Sequence, residues 1–280
     1  MNHQISKLAS AAILGLGALA SAQATSLSNG DFAFTGINGN TTLGGWSFVT
    51  FTDIAAGTTI FFTDTNVLQT TVAAGVFSST AETFWSWTAS ADVAAGTSVA
   101  LLGTGTSGQY AAKSGAAGGT ANGTVTNHNG ASSNISSGGD TLYAFQAAGY
   151  ATNYQAADIT FLGAASNRTT PYATSDNPFA ATGLSGIQVR EYRIDNATTT
   201  RYSQFSAQVS TDDTPFSSMD ELKAALAINA NWTTVSASNT IPVVSDVLAI
   251  TAAVPEPQTY ALLLAGLAVV GAVARRRRQV

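Results

Sequence analysis

The stretch that decides the fold is DIAAGTTIFF at residues 53–62, which recurs as DVAAGTSVAL at residues 92–101. An aromatic run precedes each copy, WSF at 46–48 and WSW at 85–87. Aromatic and β-branched runs on either side of a Gly-containing connection are typical of two strands joined by a turn. The glycine can take the positive φ that such a turn needs, and the aspartate side chain can accept hydrogen bonds from backbone amides. We therefore predict strand, turn, strand in each copy, with the aspartates as turn residues rather than ligands.

Further short segments have the same strand-like character and are separated by Gly, Ser, Thr or Asn. They are residues 31–35, 98–102, 141–146, 159–162 and 187–194. Many short strands with frequent turn residues favour an all-β fold, and we predict a β-sandwich over residues 25–250 with long Gly/Ser/Asn-rich loops. Residues 103–139 hold almost no large apolar side chains, so we expect a flexible low-complexity loop there. Residues 167–177 are expected to form a shorter one.

One short helix is predicted near residues 219–229. Ser218 is a suitable N-cap, and Glu221 stands where a capping box has its acidic partner. Apolar residues at helical spacing, Met219, Leu222 and Leu226, form one face. We expect this face to pack on the sandwich with Trp232 nearby.

Three blocks of the middle region resemble a known β-rich module. They are GDFAFTG at 30–36, DIAAGTTIFFTD at 53–64 and SGGDTLYAFQ at 137–146. Together they are similar to the lamin-tail-like sandwiches of secreted bacterial proteins. The resemblance implies the same sandwich architecture and no particular reaction.

The amino terminus has the composition of a secretory signal peptide. Lys7 precedes an uncharged run over residues 8–20, and small residues stand at Ala22 and Ala24. This order predicts export, with residues 1–24 as the leader and cleavage before Thr25.

The carboxyl terminus has three parts in a fixed order. Val254-Pro255-Glu256-Pro257 comes first, followed by an uncharged apolar run over residues 261–274 and then by Arg275, Arg276, Arg277 and Arg278. The prolines keep the preceding chain extended. The run is short for a membrane span, but arginines can snorkel at its end. The positive-inside rule keeps these arginines in the cytoplasm and places residues 25–254 on the far side of the inner membrane. We predict a transmembrane helix over 261–274.

This tail, residues 254–278, resembles the PEP-CTERM sorting signal of Gram-negative bacteria. The resemblance implies that an exosortase, a membrane-embedded cysteine transpeptidase, processes the tail near residues 255–257. The protein would then be anchored in the inner membrane only transiently and be delivered to the cell surface or the extracellular matrix. Such proteins accompany exopolysaccharide production and biofilm formation, so exopolysaccharide is a candidate partner. The alternative is a tail that stays in place as a permanent anchor, which would make the protein a membrane-anchored adhesin.

Composition excludes several classes of function. The chain has 0 Cys, so thiol catalysis, cysteine metal sites and disulfide scaffolds are ruled out. Residues 25–254 hold six basic and fifteen acidic residues, a net charge of −9, and they lack the clustered cations that nucleic acid requires. His128 is the one histidine after the leader, and we expect its loop to supply no partner that could orient it for catalysis. One histidine without cysteine also makes zinc an unsuitable metal.

We therefore predict a non-enzymatic exported protein with no catalytic residues, no metal and no cofactor. Sugar contact by ring stacking would use aromatic side chains such as Trp46, Trp85, Trp87 or Tyr110 if they are exposed, although the three tryptophans are more often core residues. A secreted hydrolase acting on polysaccharide or phosphoester remains the alternative, and it requires acids such as Asp64 and Glu82 to converge in a pocket with shifted pKa values. A weak Ca²⁺ site near residues 64–66 or 212–213 also stays open.

Overall fold

The computed structural model describes residues 23–39, 44–65, 67, 76–77, 82–114, 121–130, 135, 140–166, 179–191, 202–205, 216 and 218–235. The leader up to residue 22, the predicted loop at 167–177, the acidic pair at 212–213 and the whole sorting tail with its apolar run lie outside the described residues. No helix within the described part of the chain is long and apolar enough to cross a membrane.

The described residues form twelve strands and one α-helix. In chain order the strands are β1 (Phe32–Asn38), β2 (Gly45–Thr50), β3 (Thr59–Thr63), β4 (Phe84–Ala89), β5 (Ser98–Gly103), β6 (Tyr110–Ser114), β7 (Gly123–Asn127), β8 (Thr141–Ala147), β9 (Ile159–Ser166), β10 (Val189–Glu191), β11 (Tyr202–Phe205) and β12 (Trp232–Val235). The helix α1 spans Met219–Ala227. Short 3₁₀ turns occupy Ala156–Asp158, Ala180–Thr182, Gly186–Gln188 and Asn229–Asn231.

The strands form two six-stranded sheets, which confirms the predicted all-β sandwich. The first sheet has the order β12-β11-β1-β2-β5-β6 and the second has the order β10-β9-β8-β3-β4-β7. Neighbouring strands are antiparallel except for β10, which runs parallel to β9. The inner faces of both sheets contribute to one buried aromatic cluster that holds the sandwich together.

The repeat seen in the sequence connects the two sheets. Its first copy leads from β2 in the first sheet to β3 in the second, and its second copy leads from β4 in the second sheet back to β5 in the first. The predicted positive φ is present at Gly57 (84°) and at Gly96 (82°). The two connections pair with each other through a β-bridge between Ile54 and Val93.

Residues 103–139, predicted to be a loop, contribute two strands. The strand β6 pairs with β5 over its whole length, and β7 pairs with β4 at the edge of the second sheet. Tyr110 and Ala112 of β6 face the core, where their side chains are buried. The prediction is wrong for these two strands because they are built from small and polar residues. Partner strands supply the hydrogen bonds, so few large apolar side chains are needed.

The predicted helix is confirmed. The Ser218 side chain accepts a hydrogen bond from the Glu221 backbone N–H at 3.2 Å, and Leu222 and Leu226 are buried. Trp232 packs against this helix and donates its indole N–H to the Leu226 carbonyl at 3.1 Å. The helix ends at Ala227, two residues earlier than predicted, and a 3₁₀ turn follows.

Candidate functional site

Three acidic residues meet at one end of the second sheet. Asp64 directly follows β3, whereas Asp140 directly precedes β8 and Glu82 lies two residues before β4. Thr63, the last residue of β3, is paired with Phe84 of β4 and with Tyr143 of β8. Because β3 is antiparallel to both neighbours, its carboxyl end meets their amino ends. The sheet register therefore gathers side chains that are far apart in the sequence.

Asp64 is the most buried member of this cluster, with 4% of its surface exposed. Its Oδ1 atom has no hydrogen-bond partner among the described residues, and the same holds for Oε2 of Glu82. The third acid is better supported, because Oδ1 of Asp140 accepts the Thr141 backbone N–H at 3.0 Å. A buried carboxylate with an oxygen atom that lacks a hydrogen-bond partner is costly, so the protonated form of Asp64 is favoured.

The electrostatics of the cluster follow from this burial. Burial, which is the largest cause, and the nearby charges of Asp140 and Glu82 together raise the pKa of Asp64 to about 8, although hydrogen bonds from the backbone of Asp64 and Thr83 act in the opposite direction. Burial also raises the pKa of Tyr110, with the Asp64 charge as a second cause. Asp64 is therefore protonated at neutral pH. A buried acid of this kind can hold a proton. Because only 4% of the Asp64 surface is exposed, a large substrate has little room to contact it directly.

The acidic side chains raise the question of whether they are arranged to bind a metal ion. Among the described residues, no group of three histidine or acidic side chains is arranged to hold a metal ion. The acidic pair at 212–213 and Asn66 lie outside the described residues. Of the Ca²⁺ candidates, only Asp64 and Thr65 can therefore be placed, and both are buried.

A surface pocket of about 450 Å³ lies at the other end of the same sheet. It is lined by residues that surround the start of β3 and the end of β8, including Thr25, Thr59, Gln146 and Asp158. Since Thr59 begins β3 and Thr63 ends it, the length of the strand separates this pocket from the acidic cluster. The acids Asp64, Glu82 and Asp140 therefore meet outside this pocket, whereas the hydrolase alternative requires acids that converge within one.

His128 is held more firmly than the sequence indicates. It follows β7 directly, and its backbone N–H donates to the Phe84 carbonyl at 2.9 Å. Its Nε2 lies 2.8 Å from Oγ of Ser86, and its ring stacks on Tyr150 at 4.7 Å. Contrary to expectation, the His128 ring is therefore held in place, by Ser86 of β4 and by Tyr150 rather than by residues of its own loop. Partial burial lowers the pKa of His128, which favours the neutral ring.

The four aromatic side chains considered for sugar stacking are buried. Trp46, Trp85 and Trp87 have no exposed surface, and Tyr110 is 7% exposed. Trp46 packs within 5.3 Å of Trp85 and 4.6 Å of Tyr110 between the sheets. These rings fill the core, as tryptophan side chains more often do, so the version of sugar contact that depends on their exposure is removed.

Sequence reasoning missed Asp140 and Ser86. Each lies in an ordinary turn or strand sequence, and only the antiparallel register brings Asp140 to Asp64 and Ser86 to His128.

Of the predicted leader cleavage residues, Ala24 and Thr25 are described, and Ala24 is exposed.

Comparison with known proteins identifies the tail. Residues 253–278 match the family model of the PEP-CTERM protein-sorting motif. The chain carries a PEP-CTERM sorting signal. The match includes Val254, Pro255, Glu256 and Pro257 and the arginines from Arg275 to Arg278. No curated protein and no solved structure matches the chain.

This motif makes the protein an exported one that an exosortase processes, with a membrane-anchored stage before processing. The predicted resemblance of residues 254–278 to such a signal is thereby confirmed. The match covers the tail alone and gives no role to the acidic cluster or to the Ser86–His128 pair.

Proposed function

We propose that this is a non-enzymatic structural protein of the cell surface or the extracellular polysaccharide matrix. In this proposal the leader is removed before Thr25, and the exosortase then cleaves the tail near residues 255–257 and releases the sandwich. The observation that carries the proposal is the sorting motif at residues 253–278. In this proposal the sorting motif directs the protein to its destination, and the sandwich is the part that remains after processing.

The interior of the sandwich supports a structural role. Its largest side chains are buried between the sheets rather than arranged around a cleft. The most strongly shifted acid, Asp64, is closed off from solvent at 4% exposure. A rigid domain with a dry aromatic core suits a protein that must persist outside the cell.

Intact-mass analysis tests both where the protein is delivered and whether its tail has been removed. The protein is recovered from matrix and membrane fractions of its native host, and both ends are mapped by peptide analysis. The proposal expects a matrix form that starts at Thr25 and ends between Pro255 and Pro257. A membrane form that still carries Arg275 to Arg278, with none in the matrix, would instead establish a permanent anchor, which the adhesin alternative requires.

A hydrolase remains the second candidate, and two observations favour it. Asp64 has a raised pKa beside Glu82 and Asp140, as a general acid requires, and Ser86 lies within hydrogen-bond distance of His128, as a nucleophile and its base would. The purified sandwich is assayed on the host's exopolysaccharide and on ester and phosphoester substrates. Turnover that is lost in both Asp64→Asn and Glu82→Gln, or in both Ser86→Ala and His128→Gln, would replace the structural proposal.

A further inference from the structure

Residues 25–27, which we call the amino-terminal strap, are bound into the sandwich by their backbone. The Thr25 N–H donates to Oγ1 of Thr58 at 2.8 Å, and the Thr25 carbonyl accepts from Nε2 of Gln146 at 3.0 Å. The Leu27 N–H donates to Oε1 of the same glutamine at 2.7 Å. The side-chain amide of Gln146 therefore pairs with one edge of the strap through both its oxygen and its nitrogen, as the backbone of a neighbouring strand would.

Side chains fix the strap as well. The Thr25 hydroxyl donates to the Asp53 carbonyl at 3.2 Å and accepts from the Ala55 N–H at 2.9 Å. Leu27 is 2% exposed and belongs to the core between the sheets. The strap thus joins the first repeat connection to β8 of the second sheet, and its placement depends on the folded sandwich.

The strap begins at the bond that leader removal must cleave. Gln23 and Ala24 are exposed, whereas the N–H, carbonyl and hydroxyl of Thr25 are all engaged by the sandwich. A binding site commonly takes up a peptide as an extended chain and forms hydrogen bonds to its backbone. A docked Thr25 cannot form such bonds without leaving its partners.

We propose that the leader is cleaved before the strap docks, and that the docked strap protects the bond between Ala24 and Thr25. The proposal rests on the leader cleavage proposed above. Water adds across this peptide bond, so Ala24 gains a carboxylate oxygen and Thr25 gains the protons of an α-ammonium group. That ammonium donates to Oγ1 of Thr58 in place of the former amide N–H. Processing and folding therefore follow a fixed order, and a chain that folds first retains its leader.

The test compares cleavage of the full-length precursor by purified leader peptidase in the unfolded and folded states. The precursor is either presented directly from urea or refolded in detergent, and the products are identified by mass. We expect cleavage before Thr25 in the first case and cleavage at least about tenfold slower in the second, because the strap must open first. Equal rates in the two states would overturn the proposal.

Two variants show whether the strap contacts cause the protection. Gln146→Ala removes three hydrogen bonds, to Thr25, Leu27 and Thr59, and is expected to restore cleavage of the folded precursor. The matched control is Thr160→Ala, because Thr160 lines the same pocket and is exposed. Near-ultraviolet circular dichroism of the buried tryptophans confirms that both variants are folded. Restored cleavage in the control, or none in Gln146→Ala, would contradict a protective strap.

A second protease separates this proposal from the leader assignment. Residues 21–24 are replaced by the recognition sequence of factor Xa, so that this enzyme cleaves before Thr25. If leader peptidase fails to cleave the unfolded precursor at this bond, the leader assignment is wrong. The factor Xa rates in the folded and unfolded states still decide whether the strap protects the bond.

Discussion

Asp53 and Asp92 hydrogen-bond to each other's turns. Oδ1 of Asp53 accepts the Ala95 N–H at 2.8 Å, and Oδ1 of Asp92 accepts the Ala56 N–H at 2.8 Å. The Ile54–Val93 bridge lies between them, with reciprocal backbone hydrogen bonds of 2.8 Å. The two copies of the repeat therefore form a reciprocal clasp, residues 53–57 against residues 92–96, where the chain crosses between the sheets. The aspartates are turn residues as predicted, but each serves the other copy.

The clasp predicts equal and moderate losses of stability. Asp53→Ala and Asp92→Ala each remove one exposed hydrogen bond, so each is expected to lower the free energy of unfolding by about 0.5–1.5 kcal/mol. Urea denaturation measures the change. Because both bonds support the same bridge, the double variant is expected to lose less than the sum of the two single losses. Asp53→Asn retains an acceptor oxygen and is the matched control, and a loss as large as that of the alanine would contradict the hydrogen-bond explanation.

At Gly163 of β9 the backbone of the second sheet lies close to a side chain of the first sheet. A Cβ atom at this position would lie 2.6 Å from Cδ1 of Phe32, which belongs to the first sheet and has no exposed surface. Gly163→Ala is therefore expected to cost about 1–3 kcal/mol by overpacking. Its control is Gly149→Ala, where a Cβ atom would meet nothing within 4 Å. Thermal and urea unfolding of the two variants check this, and equal stability would show that the sheets can separate to accept a methyl group.

Local signals predicted the parts of the fold that are fixed locally. The repeat predicted both connections and the positive φ of their glycines, and Ser218 predicted where the helix starts. The strands β6 and β7 escaped prediction because their small and polar residues do not show which side faces the core until β5 and β4 supply partners.

The acidic cluster could not be predicted for a different reason. Asp64, Glu82 and Asp140 lie in three separate connections, and nothing in their spacing relates them. Their convergence is a consequence of the antiparallel order β8-β3-β4, which is a property of the whole sheet.

The protonation of Asp64 predicts a specific pH dependence of stability. The pKa of Asp64 is about 8 in the folded chain, compared with an ordinary value of 3.8. Between these two values the folded state holds a proton that the unfolded state has lost. Stability is therefore expected to fall as the pH rises from about 4 to about 8, by at most about 1.4 kcal/mol for each pH unit, and this group adds no further loss above that range.

Two variants isolate this contribution in urea denaturation across the pH range. Asp64→Asn resembles the protonated acid, so its stability is expected to lack this fall and to exceed that of the native sequence at pH 9. Glu82→Gln removes one of the two repelling charges, so it should move the upper end of the fall to lower pH without abolishing it, because burial is the larger cause. A native profile that matches that of Asp64→Asn would mean that Asp64 is ionised in the folded state.

His128 predicts a fall in stability on the acidic side. Partial burial lowers the pKa of His128 below its ordinary value of 6.5. As the pH falls through 6.5, the unfolded chain therefore takes up a proton before the folded chain does. This histidine therefore lowers stability as the pH falls below 6.5, until the folded ring is protonated as well.

A proton NMR titration can follow this histidine by itself. The sequence contains two histidines, and the other is His3 of the leader. A chain that starts at Thr25 thus gives ring-proton signals from His128 alone in a proton NMR titration. Tyr150→Leu removes the ring stacked at 4.7 Å and exposes the imidazole, so its pKa should rise toward 6.5. The control, Tyr202→Leu, changes a tyrosine in β11 of the other sheet and should leave the midpoint unchanged. A native midpoint at or above 6.5 would show that the ring is more open to water than its contacts with Ser86 and Tyr150 indicate.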